Sequence, residues 1–354
     1  MQNCAIFLRM IPQTLEDHLG GIVTNLQIAD LAGGGGVYHA AATFHYRAHR
    51  RQATVTGRGI TAKQAQHSAI GEALERYSIA WHGTESMLRA KLRDLDQAID
   101  PRAITLDPES GFDPEMPLDF LPGISLSTGH MVPVPAACCL MGYPFLAGEA
   151  EFAIADSNGC AAAFTIEEAT ASAIYELMER DAFANWWQRR QQQPAVRIES
   201  FEYEPLTAIR DALRREAGRN LHLFDLTNRF EIPVFAAVAP RLDGMDPIVM
   251  SGAHPSPEIA AWKAASEVAQ IWHWQIRHGI DPHPFLQPLA HQNLSQQRCI
   301  CNPTESIHYA VDALLRHGIE PVCIDLARPE VNIPVVRLIA PGMRHLPQNL
   351  VGKA

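Results

Sequence analysis

The chain lacks several features, and each absence narrows what it can be. No apolar run approaches the ~18 residues that a membrane-crossing helix needs, so no membrane span is expected. There is no basic excess: 29 Lys and Arg stand against 39 Asp and Glu, a formal charge of −10. A sequence-independent nucleic-acid binder needs a cationic face to neutralise phosphates, so no nucleic-acid partner is expected. The seven cysteines include no CxxC pair. An odd count spread over a long chain fits a reducing cytoplasm better than a disulfide framework, and Cys138, Cys139, Cys299 and Cys301 read as buried or incidental thiols. The N-terminus has no basic segment leading into a long apolar one, so no signal peptide is read and a cytoplasmic location is expected. No GxxxxGK[ST] loop, GxSxG elbow or HExxH helix occurs, and the sixteen histidines are scattered. What is present, 47% hydrophobic residues over 354 positions with 19% charged, is enough to bury a substantial core.

Internal repetition is the informative feature. Thr61 to Arg76 (TAKQAQHSAIGEALER) and Thr165 to Arg180 (TIEEATASAIYELMER) share half their residues at a constant offset of 104. A weaker third copy starts at Ser256, where Ala260, Lys263, Ala264, Glu267 and Gln270 take the places of Ala65, Ser68, Ala69, Glu72 and Glu75. Thr61, Thr165 and Ser256 are N-cap residues, Glu168 completes a capping box, and Pro257 suits a first helical position. Each copy is therefore expected to be a helix. Spacings of three and four put Ser68, Glu72, Glu75 and Arg76 on one face, with Ser172, Glu176, Glu179 and Arg180 equivalent. Ile70, Leu74, Tyr77 and Trp81 form another stripe. Solvated surface charge has no need for identical spacing, so the acids point to one shared site. Carboxylates gathered together repel, and burial raises their pKa; a divalent cation relieves both. Oxygen ligands interspersed with Arg and Lys suit Mg²⁺ with a polyphosphate.

A second duplication relates residues 211–240 to 312–341, each a helix with Asp-Ala-Leu, a C-capping glycine (Gly218, Gly318), a strand, a loop and a second strand. Strands are expected at Leu221 to Leu226, Val234 to Val238, Pro321 to Leu326 and Val335 to Ile339. Gly33 to Gly36 reads as a turn or loop. Gly57-Arg58-Gly59 follows a strand-like run (Gln52 to Thr56) and immediately precedes the first repeated helix, where glycines admit a ligand and Arg58 can reach a phosphate. Ser157-Asn158-Gly159 stands similarly before the second helix.

The strings GRGITAKQAQHSAIGEALERYS, ADSNGCAAAFTIEEATASAIYELMERDAFANWW and SGAHPSPEIAAWKAASEVAQ resemble the YcaO family of ATP-dependent peptide-backbone modifiers. The likeness is greatest to the D-protein branch that forms azolines in thiazole/oxazole-modified microcins, and it runs from about Gly21 to His345. The resemblance implies an α/β fold with mixed sheets and flanking helices, and ATP between pseudo-symmetric halves. Its expected parts are an N-terminal strand and loop region (1–50), a catalytic unit with the repeats (51–346) and a short tail (347–354). It further implies that Glu72, Glu75, Glu176, Glu179 and Glu267 hold Mg²⁺ and the phosphates, and that Arg58, Ser68, Arg76, Asn158, Arg180 and Lys263 bind ATP. Arg58 replaces the family's usual lysine, Lys263 its usual arginine, and Ala163-Phe164 its usual Gly-Asn. The implied reaction is cyclodehydration: Cys, Ser or Thr of a precursor peptide attacks the preceding carbonyl, ATP phosphorylates the resulting oxygen, and phosphate leaves a thiazoline or oxazoline. No protein nucleophile is needed, and no catalytic proton carrier is assigned. An E1-like or leader-peptide-binding partner protein is implied, and a homodimer is possible. Peptide thioamide formation and a non-catalytic nucleotide-binding scaffold are the alternatives.

Overall fold

In the computed structural model, the described residues are 22–30, 37–46, 51–104, 112–146, 151–189, 193, 195–278, 307–331 and 333–344. Expectations for Gly33 to Gly36, Cys299, Cys301 and the tail 347–354 fall outside them. Small and aromatic residues alternate with polar ones along three antiparallel strands, β1 (Val23–Asp30), β2 (Tyr38–Tyr46) and β3 (Arg51–Gly59). One face of this sheet buries Ala40, Ala42 and Phe44 against α1 (Ala62–Ser78), through Ala65, Ala69, Ile70, Ala73, Leu74 and Tyr77. The apolar stripe ends at Tyr77: Trp81 lies beyond the helix and meets Tyr143 edge-on at 5.6 Å. Strand β3 also runs through Gly57-Arg58-Gly59 instead of stopping at Thr56, because Tyr38 and His39 of β2 continue the ladder opposite Gly59 and Arg58.

Two further sheets hold the rest of the core. The chain supplies β4 (Leu88–Lys91), β5 (Pro117–Ser125), β6 (Met131–Pro135) and β7 (Cys160–Ala162) before α2 (Ile166–Arg189). It then makes β8 (Ala195–Val196), α3 (Glu204–Ala217), β9 (His222–Asp225), β10 (Val234–Ala239), β11 (Ile248–Ala253) and α4 (Pro257–His278). Last come α5 (Ile307–Leu315), β12 (Val322–Asp325) and β13 (Val335–Ile339). One sheet has the order β11-β10-β9-β8; the other runs β4-β5-β12-β13-β7, with β6 on β5. Every residue of β10 and β13 is buried, as their apolar runs require of central strands covered on both faces. Helix α2 packs against both: Ile174, Met178 and Trp186 share a core with Val234, Ala236 and Val238 of β10 and with Val336 and Leu338 of β13.

Both duplications are visible in this arrangement. Units α3-β9-β10 and α5-β12-β13 each end their helix at a left-handed glycine, Gly218 (φ 61°) and Gly318 (φ 70°). In each hairpin the last residue of the first strand turns the loop identically, Asp225 accepting from the Thr227 N–H and Asp325 from the Ala327 N–H. Each acidic helix follows directly on a strand: β3 enters α1, β7 enters α2 and β11 enters α4. A small residue sits eight positions before the first buried alanine of each helix: Gly57 before Ala65, Ala161 before Ala169, Gly252 before Ala260. A Cβ on Gly57 would stand 2.0 Å from the Ala69 nitrogen and 2.5 Å from the Ala65 oxygen. One on Gly252 would meet the matching atoms of Ala260 and Ala264 at 2.5 and 2.6 Å.

Because those neighbours are backbone, Gly57→Ala is expected to lower stability by roughly 1–3 kcal/mol or more. Gly71→Ala, in the same helix with open space around its Cβ, is expected to raise it by about 0.5–1 kcal/mol. Urea midpoints of the two variants should move in opposite directions.

Candidate nucleotide and metal site

The three helix starts are capped by the expected Thr61, Thr165 and Ser256, with a reciprocal capping box at the start of α1. Thr61 accepts from the Gln64 N–H at 3.2 Å while the Gln64 carboxamide accepts from Thr61 N–H. Thr165 accepts from the Glu168 N–H at 3.1 Å, and Ser256 from the Ile259 N–H at 3.3 Å. With the starts fixed and the small residues pressed on their strands, the acidic faces are set in register.

On α1, Arg76 donates from Nε and Nη2 to one oxygen of Glu72, at 2.8 and 2.6 Å, and reaches Glu75 at 4.0 Å. On α2 the same i,i+4 pair recurs, with Arg180 3.4 Å from Glu176. The next acid, Glu179, is buried and accepts from the Ser251 hydroxyl at 2.8 Å and the Ala253 N–H at 3.1 Å, both on β11. From α4, Lys263 donates to the Ala253 carbonyl at 3.1 Å. Arg58 crosses from β3 to α4, 3.5 Å from Glu267 and 3.1 Å from the carboxamide oxygen of Gln270, whose amide donates to Thr56.

The helices also act on one another electrostatically. Burial, then the like charge of Glu72, pushes the Glu75 carboxyl well above its ordinary range, with Arg76 opposing and Glu176 of α2 adding to the rise. Burial pushes Glu176 up to about 7; Arg180 opposes this, and Glu179 and Glu72 reinforce it. Glu267 is raised by burial against the pull of Arg58 and Arg180. Burial lowers Lys263, opposed chiefly by Glu179. Glu75 thus feels α2, and Arg180 of α2 acts on Glu267 of α4. Glu176 and Glu267 still keep 25% and 20% of their side-chain surface, so the cluster is recessed but open to solvent.

Other expected contacts are placed differently. Ser68 is exposed on α1. The Asn158 amide donates to Asp156 at 2.5 Å, and Asp156 is itself 3.6 Å from Arg337. Arg337, buried in β13, acts on Glu75 from beneath and was not picked out by the repeats. Its signal was a lone charge within the apolar strand VVRLI. Gln270, in the slot of Glu75 and Glu179, likewise turns to Arg58. Cys138 and Cys139 are buried thiols whose pKa burial raises, that of Cys139 to about 12.

Among the described residues, no three His, Cys, Asp or Glu side chains meet closely enough to hold a cation by themselves. Mg²⁺ characteristically takes one or two carboxylates and completes its shell with phosphate oxygens and water. Glutamates from three helices, with Glu176 and Glu267 raised in pKa and partly open to solvent and four cationic side chains beside the set, fit that mode of binding.

A family model described as YcaO cyclodehydratase, ATP- and Mg²⁺-binding, matches residues 56–344. The chain belongs to the YcaO family. An uncharacterized protein of Methanothermobacter thermautotrophicus is 29% identical over 316 residues, covering 81% of this chain and 80% of its own. A solved heterocyclase in complex with substrate and cofactor is 30% identical with a TM-score of 0.81, over 94% of this chain and 52% of the heterocyclase. This chain therefore spans about half the length of that YcaO heterocyclase. The YcaO protein of Methanopyrus kandleri, solved with AMPPCP and Mg²⁺, shares the fold at 22% identity and a TM-score of 0.73, over 96% and 90% of the two chains. The α/β arrangement of antiparallel sheets and, among the described residues, five helices is the YcaO fold.

The raised Glu176 pKa has a signed consequence. The folded state keeps this proton from the ordinary value of 4.5 up to about 7, whereas the unfolded chain has already lost it. Ionisation therefore removes stability progressively as pH rises through that window. Glu176→Gln is expected to raise Tm of the nucleotide-free protein at pH 8 and to leave it nearly unchanged at pH 4.5, as measured by calorimetry across pH.

Proposed function

We propose that this protein is an ATP- and Mg²⁺-dependent cyclodehydratase that converts Cys, Ser or Thr of a ribosomally made precursor peptide to thiazoline or oxazoline. The observation that carries this reading is the set of glutamates on α1, α2 and α4 that stand beside Arg76, Arg180 and Arg58 with part of their surface open to solvent. The family description and the heterocyclase likeness support it. Glu72, Glu75, Glu176, Glu179 and Glu267 would hold Mg²⁺, and Arg58, Arg76, Arg180 and Lys263 would face the phosphates, with Ser68 and Asn158 at the margins. When bound, Mg²⁺ and ATP would supply an electrophilic γ-phosphoryl, which turns the amide oxygen from a very poor leaving group into a good one.

The chain's own part is positioning and charge balance. Arg76 and Arg180 hold Glu72 and Glu176 by i,i+4 contacts, so these carboxylates are oriented before any ligand arrives. Glu179 is fixed by β11, and Lys263 is fixed through the same residue, Ala253. Arg58 stands at the end of β3 facing α4, where a cation can neutralise a phosphoryl in transfer. Phosphoryl transfer needs chiefly such positioning and neutralisation, which agrees with the absence of a nucleophile motif from the sequence. A separate leader-peptide-binding or E1-like protein would deliver the precursor in the cytoplasm.

Reconstitution with precursor and partner should give one water lost per ring, strictly dependent on ATP and Mg²⁺, by mass spectrometry. Glu72→Ala and Glu176→Ala should each lower ring formation by roughly a hundredfold or more, the scale of losing a transition-state charge partner. Exchange of oxygen for sulfur in the product would select thioamide formation, and intact ring formation in both variants would select a scaffold. One feature favours low nucleotide affinity: Phe164, 41% exposed beside the start of α2, stands where the family has asparagine. Phe164→Asn is expected to tighten binding of ATP with Mg²⁺ several-fold in calorimetric titration.

A further inference from the structure

The face of the first sheet turned away from α1 forms a cavity of about 250 Å³, walled by Gln270 and His273 of α4. Its floor follows the strand register. The outermost row is Asn25, Thr43 and Thr54 across the three strands. Next come Gln27, Ala41 and Thr56, then Ala29, His39 and Arg58. Alternation along the strands puts all three rows on one side, while Ala40, Ala42 and Phe44 face α1. The lining stops at His39, whose partner across the ladder in β3 is Arg58, the cation that meets Glu267 of the acidic recess.

The lining sets hydroxyls, carboxamides and imidazoles among the apolar Ile28, Ala29, Ala40 and Ala41, with no Asp, Glu, Lys or Arg. Such a surface pairs with peptide N–H and C=O groups and offers nothing to compensate a phosphate or a charged side chain. A second observation points to an occupant. His39 is only 5% exposed, lines the cavity, and neither of its ring nitrogens closes a hydrogen bond with a described residue. Its ring meets that of His273 edge-on, with centroids 6.0 Å apart. Burial, then His273 and Arg58, hold its pKa down to about 3, against a weak opposite pull from the Ser266 carbonyl. A neutral imidazole has one donor and one acceptor, the complement of a peptide group.

We infer that this cavity is the seat of the substrate segment being modified: an extended stretch of small, uncharged residues lying across β1, β2 and β3, with the reacting peptide group presented beside Arg58. The inference rests on the proposed peptide-modifying reading and adds the location and side-chain class of the substrate. It makes charged residues lying over the two outer rows unfavourable, because a buried charge there would have no partner.

The test uses the full chain and a capped Gly-Ser-Cys-Gly peptide carrying a benzophenone, with photo-adducts mapped by mass spectrometry. Adducts are expected within residues 39–43, 54–56 or 270–273. Unlabelled Gly-Ser-Cys-Gly should compete them away, and Asp-Ser-Cys-Glu should not. Thr43→Arg and, independently, Gln27→Arg place a cation across the floor and should reduce adduct yield about tenfold or more, with affinity for ATP and Mg²⁺ unchanged. Adducts elsewhere, no adduct at all, equal competition by the charged peptide, or full yield in both variants that fold would overturn the inference. Groove adducts in a protein that binds no ATP would instead sink the cyclodehydratase reading and leave the groove standing.

Discussion

Glutamates gathered on three helices and partly withdrawn from water are costly to charge unless cations stand beside them. That constraint organises the molecule. It explains why Arg76 and Arg180 sit one turn after Glu72 and Glu176, and why Arg58 crosses from another sheet to reach Glu267. Arg337, buried in a strand otherwise made of apolar residues, pairs with Asp156 and adds its charge to the field at Glu75. Even so, the balance is incomplete, since Glu75, Glu176 and Glu267 all keep raised pKa values. The cost of charging the recess is chiefly desolvation, with neighbouring carboxylates adding to it, and a divalent cation would offset both.

The scaffold meets this constraint by reuse. A strand runs into a helix three times, with a small strand residue eight positions before the first buried helical alanine, and at Gly57 and Gly252 it lets strand and helix approach to backbone contact. Close approach fixes the rotation of the helix, and rotation decides where residues seven and ten positions further along point. The two duplicated hairpins, β9-β10 and β12-β13, cover α2 from opposite sides and put its acids between the sheets. Packing and chemistry are therefore set by the same contacts.

Much of this was legible in the chain. The repeated Ser, Glu, Glu and Arg located the acidic faces, and the capping residues located the helix starts, because both follow from spacing within one helix. The C-capping glycines and the four hairpin strands were equally local. What escaped detection depends on partners distant in sequence. Nothing around Gln52 to Thr56 shows that β3 continues to Gly59, since that is decided by Tyr38 and His39 across the ladder. The Asn158 amide is engaged by Asp156, which Arg337 of β13 approaches in turn, an arrangement that the local sequence does not show. Trp81 matches the stripe of α1 in spacing but lies past its last turn, in contact with Tyr143. The role of Gly252 needed the third copy extended back by eight residues, and His39 carries no motif at all.

The third copy has diverged in one informative way. It keeps the first acid as Glu267 but has Gln270 for the second and Ile271 for the arginine, with Lys263 in place of a serine. Arg58, arriving from β3, makes good the missing cation from a different direction. Three identical units would surround a guest with equivalent walls, and a guest with unlike ends could then enter either way round. The departure of α4 from the template removes that equivalence, so the recess has a distinguishable front and back.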